Sequence, residues 1–164
     1  MQVTTTSGFE NLALGKTRRG INESIEEIQK HISKFPQYEP ETRHYFHGGM
    51  YCREVTRDAG VLVVGKVHKK EHFYFIASGT VAITDGDGRA TEITGPRLLM
   101  SMPGTKRAVL SLTRAVCLTF HACESTTPED AEIELTEHDE SSMYDARNRV
   151  KPGVLRNEVK EVLP

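Results

Sequence analysis

The stretch AGVLVVGKVHKKEHFYFIASGTVAI, residues 59–83, places two histidines, His68 and His72, between two apolar runs, and a third run follows Ser78-Gly79. Short runs rich in Val, Ile, Phe and Tyr that are bounded by Gly or Ser are typical of β-strands. We therefore predict strands at residues 61–68, 73–77 and 80–84, with a tight turn at Ser78-Gly79. Both histidines are predicted to lie near strand ends in a β-rich region.

The same alternation of short strands and turns extends over residues 45–122. The further predicted strands are residues 50–56, 91–94, 98–102, 106–112 and 116–121. The sharpest turn sequence between them is Asp85-Gly86-Asp87-Gly88, whose two glycines tolerate the positive φ angles of a tight hairpin. No helical pattern interrupts the strands. Residues 45–122 are therefore predicted to form an all-β core, either an antiparallel sandwich or a small barrel.

The chain on both sides of this core differs in composition. Residues 1–20 lack apolar periodicity and are predicted to form an arm, whereas residues 21–44 combine helical spacing with a Pro-bearing linker. The residues at helical spacing are Ile25, Ile28, Ile32 and Phe35. Residues 123–164 form an acidic segment and a C-terminal tail. We predict that the acidic segment contains a short exposed helix with a solvated face, and that apolar residues dock the tail onto the barrel or a neighbour.

Composition and charge exclude several classes of function. The chain has 164 residues, the size of one domain, and a net charge of -2 with a pI near 6.4. No global basic field attracts nucleic acid or an anionic membrane, so we expect neither partner. Three cysteines without C-x-x-C spacing favour a reducing cytosol over a disulfide framework. The N-terminal residues lack a signal-peptide pattern and no apolar run is long enough to span a bilayer, so we expect neither signal-peptide secretion nor membrane insertion.

Residues 60–79 resemble the first motif of the cupin superfamily, G-(x)5-H-x-H-(x)3-E-(x)6-G. The spacing is kept from Gly60 to Gly79, and His68 is retained. Two ligand identities differ, because Lys66 stands where the first histidine would be and His72 stands where the glutamate would be. The resemblance implies a cupin-type antiparallel β-barrel, or jelly roll, for residues 45–122. The N-terminal helix and extended tails predicted from the local patterns flank it.

The second cupin motif, G-(x)5-P-x-G-(x)2-H-(x)3-N, is matched more loosely. Arg107 takes the place of the histidine and Ser111 that of the asparagine. Alternate side chains of a strand face the same way, so the cupin alignment implies that the kept and substituted positions surround one barrel mouth. The ligand-binding residues predicted in this way are Lys66, His68, His72, Tyr74 and Arg107.

Three interpretations of this set remain open. Two imidazoles hold a divalent transition metal weakly and two nearby cations oppose it, so a metal site needs a third ligand, for which His121 and His47 are candidates. The predicted metal ligands are His68, His72 and His121. In the second interpretation, Arg107 and Lys66 bind a small anionic ligand and the histidines act as donors or as a titrating pair. In the third, the cations reach the rim and the histidines are purely structural.

A wider set of residues resembles small cupin-like proteins encoded by tailed bacteriophages. The set comprises an H-G-x-Y-x-R-E-like segment at residues 47–54, V-x-G-K-x-H at 63–68, a closing Ser78-Gly79, P-G-T-K-R at 103–107 and F-H-A at 120–122. This resemblance implies a bacteriophage accessory or virion-associated protein, located in the host cytoplasm or the virion. Its role would be that of a scaffold, with a degenerate ligand pocket.

The resemblance also concerns partners. Cupin-like barrels pair through sheet edges and exchanged terminal segments, which implies a homo-oligomer whose tails contact other phage or virion proteins. The alternative function is a metal-dependent or anion-binding cupin that acts on a small molecule, with His68 and His72 as ligands or acid-base groups and Arg107 as a substrate clamp. The sequence leaves open whether the protein is an enzyme.

Overall fold

The computed structural model of the protein describes residues 18–84 and 90–156. Its elements in chain order are α1 (Arg18–Ile32), β1 (Glu41–His47), β2 (Met50–Arg57), β3 (Leu62–Val64), β4 (His72–Ser78), β5 (Thr80–Thr84), β6 (Ala90–Thr94), β7 (Arg97–Ser101), β8 (Ala108–Ser111), β9 (Ala115–Ala122) and α2 (Pro128–Leu135). The D-G-D-G turn, most of the predicted arm and the end of the predicted tail lie outside the described residues.

The nine strands form two antiparallel sheets. One sheet has the order β1-β2-β9-β4-β7, and the other has the order β3-β8-β5-β6. The chain crosses between the sheets after β2, β3, β4, β6, β7 and β8, whereas β1–β2 and β5–β6 are hairpins within one sheet. Every ladder pairs antiparallel strands. The prediction of an all-β fold of the jelly-roll kind is confirmed. The two sheets keep separate edges and are not closed by hydrogen bonds into one continuous barrel, so the molecule is a sandwich.

The core lies between the inner faces of the two sheets. Strand β9 shows the period of two that a half-buried strand requires, because Ala115, Cys117, Thr119 and His121 are buried while the residues between them are partly exposed. Side chains of β4, β5, β8 and β9 meet in one cluster of Tyr74, Ile76, Val81, Ile83, Val109, Ala115 and Cys117. The inner face of β9 therefore runs from an apolar end at Ala115 to a polar end at His121.

Two predictions about the strands are wrong. The sheet starts at Glu41 and not near residue 45, because β1 pairs along its whole length with β2. The predicted strand at residues 61–68 is only three residues long, since its partner strand begins at Ala108 and the ladder ends there at Val64. Beyond Val64 the chain runs beside the loop that precedes β8. There the backbone oxygen of His68 accepts from Gly104 N, and the backbone N–H of His68 donates to Thr105 O. His68 therefore lies on a loop and not on a strand.

The acidic segment is not the solvated face that the charge pattern predicted. The side chain of Thr127 caps α2 by accepting from Asp130 N, and Pro128 occupies the first turn, where its missing N–H is harmless. Ala131 and Leu135 are buried against Tyr51 and Cys123. The helix thus packs Pro128, Ala131 and Leu135 over the end of the sandwich, and three of its carboxylates form ion pairs with Lys66, Lys70 and Arg147.

The N-terminal helix and the tail cover other parts of the sandwich. Ile25 of α1 is buried against Ala108, as the helical spacing predicted, whereas Phe35 lies beyond the helix and is exposed. The tail, as far as Arg156, runs along the linker, where the Tyr144 hydroxyl donates to Tyr38 O at 2.6 Å. In the described ranges, no helix combines the length and the apolar character needed to cross a bilayer.

Gly79 at the β4–β5 turn gives a direct test of the fold. Its φ is +82°, and a Cβ there would lie 2.3 Å from Arg114 O and 2.7 Å from Ala115 Cα. We expect Gly79→Ala to lower the free energy of unfolding by about 1–2 kcal/mol for the backbone angle, plus about 1–3 kcal/mol for the clash. Denaturant unfolding measures the sum.

Gly153→Ala is the matched control for this substitution. Gly153 has a similar φ of +80°, but no heavy atom lies within 4 Å of an added Cβ. We expect it to show the backbone effect alone. Equal losses for the two variants would contradict the close packing of the turn against the start of β9.

Candidate functional site: a histidine cluster between the sheets

A cavity of about 150 Å³ lies between the two sheets at their polar end. Strands β2, β4 and β9 form one wall, β3 and β8 form part of the other, and α2 covers the opening. All the residues predicted from the sequence to form the site line this cavity: Lys66, His68, His72, Tyr74, Arg107 and His121. Their function as ligands stays a prediction, but the structure brings them together in one place.

The register of β9 with its two neighbours sets the arrangement of the polar wall. Thr119 pairs with Arg53 of β2 on one side and with Tyr74 of β4 on the other. His121 pairs with Tyr51, and the same register continues to place His72 beside it. Inward-facing residues therefore form two adjacent cross-strand rows. The first is Arg53-Thr119-Tyr74, and the second is Tyr51-His121-His72.

His68, His72 and His121 form a compact group of imidazoles. One nitrogen of each ring lies within 4.8 Å of the corresponding atoms of the other two. Ring centroids are 4.1 Å apart for His68 and His72 and 4.5 Å apart for His72 and His121. Metal–imidazole bonds are about 2.0–2.1 Å, so ligands of one ion lie within about 4 Å of each other and small side-chain rotations suffice to bring these nitrogens onto one ion.

The hydrogen bonding of these rings is incomplete. His68 Nδ1 and His121 Nδ1 are buried and have no hydrogen-bond partner among the described residues. His72 Nδ1 lies 3.4 Å from Lys70 O, a long contact that favours a proton on Nδ1 and a lone pair on Nε2. A buried polar atom without a partner destabilises the fold by about 1–3 kcal/mol. A metal ion would satisfy such nitrogens, so the donor set fits the divalent transition metal that the cupin resemblance implies.

All three imidazoles are held in the neutral form. Burial lowers the pKa of His72 to about 4, and the positive charges of Arg107 and Arg53 act in the same direction. Burial, with His72 and Arg53 as further causes, lowers the pKa of His121 to about 3. Burial also places the pKa of His68 well below its ordinary value. Neutral imidazole is the form that binds metals, so no proton has to leave the cluster near pH 7.

The two cations predicted to oppose a metal are each held by other groups. The ammonium of Lys66 forms an ion pair with the carboxylate of Glu132 on α2, so its charge is offset locally. The guanidinium of Arg107 donates to Ser101 Oγ and lies 5.5 Å from the ring centre of Tyr74. Because Arg107 still lowers the pKa of His68 and His72, its charge reaches the cluster. Lys66 therefore repels a metal ion at the histidines less than predicted, because Glu132 offsets its charge. The electrostatic repulsion by Arg107 remains.

The sequence prediction of the site missed Arg53, Arg57, Thr119 and Glu132, which also line the cavity. Arg53 and Thr119 lie within predicted strands, at positions where a period of two allows either face to point inward. The buried face of a strand is normally recognised by its hydrophobic residues. The inner side of β2 instead alternates Tyr51, Arg53, Val55 and Arg57, so its sequence does not show which face is buried. The charge pattern places Glu132 on the solvated face of the predicted acidic helix. No local pattern shows that its helix turns back over the sandwich.

The sequence matches no protein-family model and no curated protein. A cupin superfamily protein from Desulfitobacterium hafniense is 14% identical, with a TM-score of 0.46, and the match covers 55% of this chain and 83% of that one. For the cupin domain of Cnp3 from Schizosaccharomyces pombe the identity is 13%, the TM-score is 0.46 and the coverage is 54% and 67%.

A third solved structure is KdgF from Halomonas sp., which is 9% identical with a TM-score of 0.45 over 50% of this chain and 78% of that one. The solved structures similar to this chain thus include cupin superfamily proteins. At these identities and TM-scores the likeness transfers neither an activity nor a ligand, and the assignment of fold class rests on the sheet topology itself.

Proposed function

We propose that this protein binds a divalent transition metal through His68, His72 and His121 and uses that site to act on a small molecule admitted to the cavity. The observation that carries the proposal is the convergence of three imidazoles within 4.8 Å, from a partly buried loop residue and from buried residues of β4 and β9. Three neutral nitrogen ligands suit Zn²⁺ and the neighbouring first-row ions. A purely structural role explains less, because it leaves His68 Nδ1 and His121 Nδ1 without hydrogen-bond partners among the described residues.

The protein's own residues supply the environment of such a centre. His68, His72 and His121 would hold the metal, which would supply Lewis-acid chemistry to a small molecule in the cavity. His72 is 6% exposed and His121 is 3% exposed, so the sheets exclude bulk water from the cluster. The Lys66–Glu132 pair joins the β3–β4 loop to α2 at the cavity opening. Together these groups hold the imidazoles neutral, oriented and shielded before any ligand enters.

A second proposal concerns assembly. The scaffold role predicted from the resemblance to bacteriophage accessory or virion-associated proteins needs contacts between chains, and the homo-oligomer is its simplest form. An apolar area on the outer face of the larger sheet supports self-association, with Phe73 47%, Leu98 54% and Met100 78% exposed. Phe73 pairs with Met100 and Phe75 with Leu98 in the β4–β7 ladder, so these side chains form one continuous area at a sheet edge. The bacteriophage role itself stays a prediction.

Metal analysis tests the first proposal. Protein purified without chelator and dialysed against Zn²⁺ or Mn²⁺ should retain close to one ion per chain. Removing one ligand should weaken metal binding by more than about 100-fold. Mutating a residue that only hydrogen-bonds to a metal ligand already weakens binding by about 10–100-fold. Elemental analysis and competition with a chromophoric chelator measure both quantities for His72→Ala and His121→Ala. His138→Ala, at a histidine whose side chain is 85% exposed, is the control. A wild-type protein that retains no ion would refute the proposal.

Acid stability of the metal-free protein tests the state of the imidazoles. In the unfolded chain a histidine takes up its proton near pH 6.5, whereas folding lowers the pKa of His72 to about 4 and that of His121 to about 3. Between these limits the unfolded state binds more protons, so the free energy of unfolding falls as the pH falls. Each histidine contributes up to about 1.4 kcal/mol per pH unit.

The measurement is denaturant unfolding in the presence of chelator between pH 6.5 and 5, above the range in which most carboxylates titrate. The double variant His72→Gln/His121→Gln should show a clearly shallower loss of stability than the wild type, and His138→Gln should match the wild type. Equal slopes for the double variant and the wild type would mean that the imidazoles titrate normally.

Light scattering tests self-association. The wild-type chain should have at least the mass of a dimer, and Met100→Glu should shift it towards the monomer, because a carboxylate at the centre of the apolar area would have to be buried at the contact. Ile133→Glu is the matched control, since Ile133 is 72% exposed on α2, away from this sheet face. A monomeric wild type would contradict the assembly proposal and leave the metal proposal unaffected.

A further inference from the structure

The cavity carries an excess of positive charge. Among the described residues that line it, four are permanent cations, Arg53, Arg57, Lys66 and Arg107, and Glu132 is the only carboxylate. Glu132 pairs with Lys66 and so offsets that charge alone. The three arginines face a group of neutral imidazoles. An organic ligand that enters this space therefore meets a field that favours negatively charged groups.

The three arginines differ in how they are held. Arg57 is 3% exposed and its Nη2 donates to the Tyr74 hydroxyl at 2.9 Å. Arg107 donates to Ser101 Oγ and lies over the ring of Tyr74. Arg53 makes no side-chain hydrogen bond and no ion pair within residues 18–84 and 90–156, and its Nε is buried. Among the arginines that line the cavity, Arg53 is thus the one whose guanidinium donors make no hydrogen bond to the described residues.

The position of Arg53 relates it to the histidine cluster. Arg53 pairs across the sheet with Thr119, whose Oγ1 is also buried without a hydrogen-bond partner among the described residues. His121 lies two residues further along β9 on the same inner face. Two residues along a strand span about 7 Å, so the Arg53–Thr119 row lies one such step from the row of His121 and His72.

We propose that Arg53 and Thr119 bind a carboxylate group of a small anionic substrate whose other end reaches the histidine cluster. The part of this inference that places the other end of the substrate at the histidine cluster rests on the proposed metal function. The Nε–H and Nη–H of a guanidinium grip a carboxylate side-on through two parallel hydrogen bonds, and the threonine hydroxyl can donate a third. The group bound is planar and singly charged, which matches one unengaged guanidinium better than a phosphate dianion does.

Size limits the substrate as well. A cavity of about 150 Å³ holds about five waters at their liquid volume of about 30 Å³ each, and hence a molecule of fewer than about ten non-hydrogen atoms. A dicarboxylate of about four carbons fits this limit and spans roughly the step between the two rows. The assignment is therefore a short-chain carboxylic acid with a second oxygen function, rather than a nucleotide, a sugar chain or an amine.

Titration calorimetry with succinate as the probe tests the inference. Wild type, Arg53→Gln, Arg53→Lys and Arg97→Gln are each titrated after chelator treatment and again after reloading with Zn²⁺, and the metal content of every sample is measured. Arg97 is an exposed arginine on the edge strand β7 and serves as the matched control. We expect Arg53→Gln to weaken succinate binding at least tenfold and Arg97→Gln to leave it unchanged. Arg53→Lys keeps the charge but loses the side-on grip, and should fall between them.

Two further readouts separate this inference from a structural role and from the metal proposal. Because Arg53 is a partly buried cation without a partner, Arg53→Gln should melt no lower than the wild type without ligand, and its metal content should be unchanged. A lower melting temperature with unaltered succinate affinity would assign Arg53 to structure and overturn the inference.

Succinate binding that depends on Arg53 in the chelator-treated protein would support the inference even if no metal were retained, in which case only the metal proposal fails. Tighter binding of inorganic phosphate than of succinate would overturn the carboxylate assignment. So would the absence of succinate binding by the wild-type protein in both metal states.

Discussion

The antiparallel register of β9 between β2 and β4 is the constraint on which the site depends. The pairing of Thr119 with both Arg53 and Tyr74 fixes which residues of three strands share a row on the inner face. A shift of one residue in either ladder would move the imidazole of His121 and the guanidinium of Arg53 to opposite faces of the sheet. The position of these groups is therefore a property of hydrogen bonding in the backbone, and the cavity follows from it.

Burial gives these groups their chemical character. The sheets remove the imidazoles of His72 and His121 from water, which lowers their pKa values to about 4 and about 3 and keeps them available as neutral donors. The same burial makes unpartnered polar atoms unfavourable in the free protein. The interior thus combines neutral nitrogen donors with an excess of fixed positive charge. This combination is poorly suited to a stabilising core and well suited to holding a ligand that brings both an electron-pair acceptor and a negative charge.

Much of the fold was predictable because strands and turns leave local patterns. The runs around Ser78-Gly79 gave β4 and β5 nearly at their observed bounds, and the spacing of Ile25 and Ile28 gave the first helix. The failures have a common cause. The strand predicted through Lys66 to His68 ends early because its partner does, and β1 was missed because its alternation of charged and aromatic residues becomes a strand only through pairing with β2. The local sequence pattern shows that a segment tends to form a strand, whereas the neighbouring strand with which it pairs determines where that strand begins and ends.

The class of fold, the strand spacing and the residue types of the candidate site were predictable from local patterns, because apolar periodicity and turn residues act over a few positions. Which of those residues meet depends on the packing of the whole domain. This packing placed His121 beside His72, turned Glu132 back onto Lys66 and left Arg53 Nε without a hydrogen-bond partner among the residues that the structure describes. These relations join residues distant along the chain through sheet register and helix packing. A side chain's partner, burial and charge environment arise from that packing, so no local stretch of sequence contains them.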